Sequence, residues 1–385
     1  MNAVLHVTPD LSLCAGLARA QARAGTRARV VAPLRSTAGL ARRLTPLVLD
    51  GAEATVWEGT LPGGRVPVYH VDALEAAVLR TAVDAARELG FAPQVVHAHD
   101  VAAAAALATA RPAATIVTLH HPPAGGDLPA ADRLAAPSPR AAQGLPGVVG
   151  VLGGIDVDSW NPAADPLLPA HFGPASPARK QAVKAALLHD VGLPARAHAP
   201  LFAAIGMSAE GGAGVLVEAG GELAALEAQI VVLGRGERRF EEPLASLARR
   251  HPNRIAFAAD ADEALVHRAV AGADFLLAPA PADPAGTVAM IALRHGTLPV
   301  VSATGGLDDV VVDYDPDSRT GSGFKLTEPT PAALVAAARR ALALYRDGKT
   351  LARLSARAME LDFSWDAAAR RYGELYAQVM EAQKS

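Results

Sequence analysis

Short unbroken apolar runs alternate along this chain with longer Ala-rich stretches whose apolar positions recur at helical spacing. That alternation predicts βα units built around a mainly parallel sheet. Ala3 to Val7 reads as the first strand, followed by a loop through Pro9 and Asp10 and a helix ending near Gly25. Arg29 to Ala32, Gln94 to Val96, Thr115 to Leu119 and Val148 to Leu152 read as further strands of the same unit. Asp156 to Gly173 then breaks the pattern, with prolines at 162, 166, 169 and 174 that suit neither helix nor strand. The alternation restarts with Leu201 to Ile205, Ile230 to Leu233, Ile255 to Phe257, Phe275 to Ala278 and Pro299 to Val301. The expected organisation is a Rossmann-like domain over 1–165, a second over 166–363, and a closing helix over 364–385 with Ser364 as its N-cap. Sheets of this kind bind ligands at the carboxyl ends of their strands, so two facing units would share a cleft.

Composition removes several alternatives. The chain has 385 residues, 51% of them apolar and 4% aromatic, and its 36 Lys and Arg against 39 Asp and Glu leave a net charge of −3. That balance offers no basic stripe for a phosphate backbone, so nucleic acid is not an expected partner. The single cysteine, Cys14, excludes an internal disulfide framework and a Cys-rich metal site. No apolar run is long enough to span a bilayer and the N-terminus does not read as a signal peptide, so the expected location is the cytoplasm, away from membranes. Only five basic residues are lysines, in a chain rich in Ala, Gly and Pro, which fits a general codon preference.

Chemistry gathers at strand ends. VVHAHD (95–100) closes an apolar strand with His97, His99 and Asp100, groups able to bond sugar hydroxyls or orient a leaving group. The plainer alternative makes His97 a core residue and Asp100 a helix cap. TLHHPP (118–123) repeats the arrangement with His120 and His121. No histidine pair has i,i+4 spacing with a matching carboxylate set, so no metal and no cofactor is expected. SATGGLDD (302–309) follows a strand and would let backbone amides approach a phosphate. In ADPAGT (282–287), Asp283 and the amides near Gly286 could touch ligand hydroxyls, or Asp283 could simply cap the next helix.

Taken together these segments resemble the bacterial glycogen and starch synthases. The resemblance is carried in order by VVHAHD, TLHH, GGIDVDSWNPAADP (153–166), GADFLLAP (272–279), ALRHGTLPVV (292–301), TGGLDDVVVD (304–313) and DFSWDAAARRYGELY (362–376). It implies an α/β, GT-B fold of two doubly wound domains, with ADP-glucose ahead of UDP-glucose as donor and an α-1,4-glucan as acceptor. Transfer would retain configuration without metal. By the same resemblance His99 and Asp283 are the catalytic candidates, and Gly16, His120, Gly286, Thr304, Gly305 and Gly306 the candidates for substrate and donor binding.

The departures from the family fall on the donor site. Its Lys-Thr-Gly-Gly loop aligns with Leu13-Cys14-Ala15-Gly16, and the arginine and lysine that grip the donor phosphates align with Met207 and with Gly211 or Gly212. The loop glutamate is shortened to Asp283, its neighbouring cysteine is Ala285, and a linker asparagine is Gly153. Arg19, Arg235, Arg238 and Arg294 are candidates to replace the lost cations. Two outcomes are therefore expected as alternatives: an active transferase with relocated cations, or an impaired relative that binds glucan or nucleotide as a regulatory or scaffold partner.

Overall fold

The computed structural model describes residues 2–42, 47–49, 52–73, 75–121, 127–196 and 198–384, without the side chains of 42, 47–49 and 52. Contacts divide the chain into two units, Met1–Gly154 with Phe363–Ser385, and Ile155–Asp362.

Unit 1 runs β1 (Ala3–Val7), α1 (Ala15–Arg23), β2 (Arg27–Pro33), β3 (Ala41–Arg42), β4 (Leu47–Leu49), β5 (Ala52–Thr60), β6 (Pro67–Asp72), α2 (Glu75–Glu88), β7 (Val95–His99), β8 (Ala114–Thr118), β9 (Arg133–Ala136), α3 (Pro139–Ala142) and β10 (Val148–Gly150). The strands lie in the order β10-β9-β8-β7-β1-β2-β6-β5-β3, with β4 beside β5. The chain builds outward from β1 to β6 and then returns across the sheet to β7, so the order reverses between β1 and β7. That switch point leaves a gap between diverging loops at the carboxyl edge. Every residue of β1, β7 and β8 is buried, as strands covered on both faces require.

Not expected from the sequence are the short strands β3 and β4, the antiparallel hairpin β5–β6, helix α2, which fills the connection between Val71 and Val95, strand β9 and the short helix α3. The hairpin does carry its signal, because Ala54 and Val56 are buried while Thr55 and Trp57 are partly exposed, and Leu61-Pro62-Gly63-Gly64 makes the turn. Alternation of this kind marks a strand with one covered face.

Unit 2 runs α4 (Lys180–Asp190), β11 (Leu201–Met207), α5 (Ala213–Ala224), β12 (Gln229–Gly236), α6 (Arg238–Arg250), β13 (Ile255–Ala258), α7 (Glu263–Gly272), β14 (Phe275–Ala278), α8 (Thr287–Arg294), β15 (Leu298–Ser302), α9 (Gly305–Val310), β16 (Phe324–Leu326), α10 (Pro331–Arg346) and α11 (Gly348–Met359). Its six strands are all parallel, in the order β13-β12-β11-β14-β15-β16, with a reversal between β11 and β14. Leu201, Ala203, Val231, Leu233 and Leu276 fill one face with Leu187 of α4. On the other, Phe202 stacks on Phe275 at 5.1 Å between ring centroids, and Phe324 meets Phe275 edge-on.

Residues 155–165 pack with unit 2, eleven positions before the boundary expected at 165/166. The reason is local: Asp165 is buried and bonded to His267 of α7 at 2.6 Å, and Trp160 stacks on the same imidazole at 3.9 Å. Two buried lysines then tie α4 to the sheet. Lys184 pairs with Asp274 at 2.7 Å, and that carboxylate also accepts the Leu201 amide at the start of β11. Lys180 donates to the carbonyls of Ala271 and His295, at the C-terminal ends of α7 and α8, and to the Thr297 hydroxyl. A cation suits two helix C-termini, while burial pushes this amine down to about 7.

The last helix, α12 (Trp365–Ala382), belongs to unit 1 and is capped by Ser364, whose hydroxyl accepts the Ala367 amide at 3.2 Å. Ala369, Tyr372, Leu375, Tyr376 and Val379, at helical spacing, pack on Val4, Leu17, Val95 and Ile116. Among the described residues no helix is long and apolar enough to cross a membrane.

Replacing Lys184 with Met leaves Asp274 buried without its cation. The expected loss is about 3–5 kcal/mol in urea denaturation. Lys184→Met combined with Asp274→Leu is expected to recover part of it, and a single variant as stable as wild type would remove the pair from the organisation of unit 2.

Candidate functional site

Unit 1 brings its histidines together through strand register. Parallel pairing sets His6 beside His97 and His99 beside Thr118. His97 and His99 lie on one strand with stacked rings, 4.2 Å between centroids, and His6 is tilted against both. Starting from the inside, the Tyr372 hydroxyl meets the Thr118 hydroxyl at 3.0 Å, and Thr118 meets His97 Nε2 at 2.8 Å. His97 Nδ1 meets the Tyr376 hydroxyl at 2.8 Å, which also accepts from Gln21 Nε2 at 2.9 Å. Gln21 Oε1 then lies 2.9 Å from His6 Nε2, His6 Nδ1 lies 2.9 Å from His99 Nε2, and His99 Nδ1 lies 3.1 Å from His120 Nε2.

This accounts for both ring nitrogens of His6, His97 and His99. Those three rings offer nitrogens within 4.8 Å of one another, a spacing compatible with a metal ion. Hydrogen bonds already saturate them, so no lone pair is left pointing at a vacant position. His99, one of the catalytic candidates, is 1% exposed. The open nitrogen of the chain is Nδ1 of His120, which has no hydrogen-bond partner among the described residues.

Burial keeps these rings neutral. It pushes His6 and His120 down to about 4, and His97 and His99 well below their ordinary value. Asp100 stands beside them with φ 75° and ψ 166°, a conformation that costs a non-glycine residue about 1–3 kcal/mol. Its carboxylate accepts from Val101 N at 3.2 Å and binds His121 Nδ1 at 2.5 Å, so it both caps the following 3-10 turn and holds the second histidine of the TLHH segment.

Gly16, a donor-binding candidate, is buried against α12: a Cβ there would lie 2.1 Å from the Trp365 indole nitrogen. A Cβ on Gly154 would lie 2.7 Å from the Trp365 backbone. Both glycines permit α12 to seat. Leu13, where the family has its lysine, ends a short 3-10 turn.

In unit 2 the candidates Asp283, Gly286, Thr304, Gly305 and Gly306 come together at the carboxyl ends of β14 and β15. The Asp283 carboxylate turns back into its own loop and accepts the amides of Gly286 at 2.7 Å and Ala285 at 3.1 Å. Its carbonyl accepts the Gly306 amide at 2.8 Å, and the Thr304 hydroxyl donates to the Ala280 carbonyl at 3.1 Å. The two turns touch backbone to backbone, since a Cβ on Gly305 would meet the Asp283 oxygen at 2.2 Å and one on Gly306 the Ala285 carbonyl carbon at 2.2 Å.

The positions expected to align with the family's phosphate-gripping cations lie near this edge. Met207 is 1% exposed inside the sheet. Gly212 opens α5 with φ 88°, and a Cβ there would lie 2.4 Å from the Pro279 oxygen, so no lysine fits at that position as it stands. The arginines proposed as substitutes are engaged within their own units: Arg19 with the Pro62 carbonyl, Arg235 with Asp260, Arg238 with Glu242, and Arg294 with the Met359 carbonyl.

His6, Gln21, Tyr372 and Tyr376 were missed in the sequence. His6 did carry a signal, as the one polar residue in AVLHV. Tyr372 and Tyr376 lie four apart on one helix face, but nothing local ties them to Gln21.

Comparison with known proteins agrees with this geometry. Residues 207–360 match the family of glycosyl transferases group 1. The chain is 47% identical over 228 residues to a glycogen synthase of Anaeromyxobacter dehalogenans, covering 59% of this chain and 48% of that protein, so this alignment spans about half of the relative. It is 32% identical to a glycogen synthase of Thioalkalivibrio sulfidiphilus across 95% of both proteins. In three dimensions it is similar to the catalytic domain of starch synthase IV from Arabidopsis thaliana bound to ADP and acarbose, with a TM-score of 0.86, 23% identity and 99% of each chain covered.

Acid exposes what the buried rings require. Their folded pKa values lie below the ordinary 6.5, so between about pH 6.5 and 4 the unfolded chain holds protons that the folded chain does not, and stability falls as pH drops. Each such ring contributes up to about 1.4 kcal/mol per pH unit. His120→Gln is expected to reduce that slope by about one proton in denaturation series between pH 6 and 4.5. In unit 2, Gly306→Ala is expected to cost about 1–3 kcal/mol through the contact with Ala285.

With its two parallel-sheet Rossmann-like units of the GT-B fold, its ordered motifs and a glycogen synthase matched at 32% identity over 95% of both chains, the chain belongs to the glycogen synthase family.

Proposed function

We propose that this protein is a retaining, metal-independent glucosyltransferase of the cytoplasm that takes glucose from a nucleotide-glucose, ADP-glucose ahead of UDP-glucose, and extends an α-1,4-glucan. The observation that carries this reading is the interlock of the Asp283–Gly286 loop with the Thr304–Gly306 turn at the carboxyl edge of unit 2. Side-chain-free backbone at the start of α8 suits close approach by a diphosphate. Unit 1 supplies neutral imidazoles, which suit hydroxyls better than charges.

A second reading has its own observation. A departing nucleoside diphosphate builds negative charge, and removing one positioned donor for such charge typically costs about 10²- to 10³-fold in rate. Here Leu13, Met207 and Gly211 or Gly212 stand where the resemblance places the family's cations, and of the two glycines Gly212 has no room for a side chain. That favours a relative that binds glucan or nucleotide while turning over slowly or not at all.

Transfer of labelled glucose to glycogen from ADP-glucose and from UDP-glucose separates the two. Incorporation supports the transferase. No incorporation, with calorimetric binding of maltoheptaose or ADP retained, supports the impaired binder, and neither transfer nor binding removes both. Asp283→Asn adds a finer test, because the amide oxygen can still accept from the loop amides. Retention of most activity is expected if Asp283 shapes the loop, whereas a loss beyond about 10²-fold would mark its charge as part of the chemistry.

A further inference from the structure

The hydrogen-bonded series in unit 1 has a direction, and one side chain sets it. A neutral imidazole donates from one nitrogen and accepts at the other, so each ring passes on the polarity it receives. Gln21 sits in the middle, with its oxygen on His6 Nε2 and its nitrogen on the Tyr376 hydroxyl. An amide oxygen only accepts, so His6 carries its proton on Nε2 and accepts at Nδ1 from His99 Nε2. His99 must then accept at Nδ1 from His120 Nε2, which leaves His120 Nδ1 as a bare lone pair. On the other side the Gln21 amide donates to Tyr376, whose proton goes to His97 Nδ1, so His97 donates from Nε2 to Thr118. Rotating the amide by half a turn would reverse every one of these bonds.

We propose that Gln21 is a positioning residue that holds His6, His97, His99 and His120 in the Nε2–H tautomer, so that His120 presents Nδ1 as an acceptor for a ligand hydroxyl and not for a phosphate oxygen. The proposal deepens the glucan reading above and rests on it for the identity of the hydroxyl. Two further observations agree. The amide cannot take up a proton at ordinary pH, so the series is directed from its middle by a group that orients without exporting charge. Burial also keeps His120 neutral near pH 7, which removes any attraction to an anion. Gln21 is 3% exposed and touches no candidate ligand position itself; it acts through the rings.

The test is nitrogen-15 NMR of the full chain labelled at histidine, at pH 8, where the chemical shifts of Nδ1 and Nε2 distinguish the tautomers. Wild type is expected to show Nε2–H for all four rings. Nδ1–H at His6, His99 and His120 would overturn the proposal. Gln21→Glu places an acceptor-only carboxylate between His6 and Tyr376. Tyr376 must then turn its proton to Glu, so His97 alone is expected to change to Nδ1–H. A spectrum unchanged at His97 would overturn the directing role. Gln21→Leu removes the director and is expected to abolish the uniform Nε2–H pattern at His6, His99 and His120, and the near-isosteric Glu variant keeps the test available should Leu not fold. Titrating wild type with maltoheptaose is expected to shift His120 Nδ1, and inorganic phosphate is expected to leave it in place. A shift with phosphate alone, or with neither, would overturn the hydroxyl-acceptor role. The glucose-transfer assay decides the glucan reading independently, because the tautomer assignments do not depend on turnover.

Discussion

Imidazoles can be buried side by side only where each ring nitrogen finds a partner, and much of unit 1 is arranged to satisfy that condition. An unpaired polar group in a dry interior costs about 1–3 kcal/mol, and an unwanted charge more. Three strands in register bring the rings together, α1 contributes an amide, and α12 contributes two phenols. The hydroxyls of Tyr372 and Tyr376 are themselves held protonated by burial, the former pushed up to about 12. A polar network of this kind, satisfied at every nitrogen of His6, His97 and His99, specifies one arrangement of its members far more sharply than apolar packing would.

The two units handle ligand chemistry by different means. Unit 1 places side chains whose polarity is fixed by their neighbours. Unit 2 places backbone, using glycines where two turns must touch and a carboxylate that is consumed in shaping its own loop. Charge is largely internal to unit 2: the Lys184–Asp274 pair, the Lys180 ammonium on two helix ends and the Lys325–Asp308 bridge all stabilise architecture. Three of the chain's five lysines are therefore structural, and the other two, Lys349 and Lys384, are exposed.

Much of the fold was legible because buried parallel strands write themselves as apolar runs. β1, β7, β8 and the central strands of unit 2 lie where those runs lie. Half-covered strands were less legible, and the hairpin β5–β6 was passed over although its turn residues and alternation were present. The candidate site was legible in part. Motif order located His99, His120, Asp283 and the Thr304–Gly306 turn, but not what each side chain touches. Gln21 and Tyr376 are 355 positions apart, and only the packing of α12 on α1 brings them together. The role of Gly16 was similarly hidden, because a close approach to Trp365 leaves no mark on the residues beside the glycine. Such facts arise from tertiary structure, where a residue's role is decided by a neighbour distant in sequence.

The return of α12 to unit 1 gives the chain an order of completion. A ribosome makes β1, β7 and β8 early, yet His97 has no hydroxyl for its Nδ1 until Tyr376 emerges. Unit 2, by contrast, is one continuous stretch from Ile155 to Asp362 and can close on itself as soon as that stretch is free. During synthesis the first-made sheet must therefore wait, with polar rings and an apolar face uncovered, while the second is finished. The unit begun earlier is thus the one sealed later, once α12 is free to pack on it.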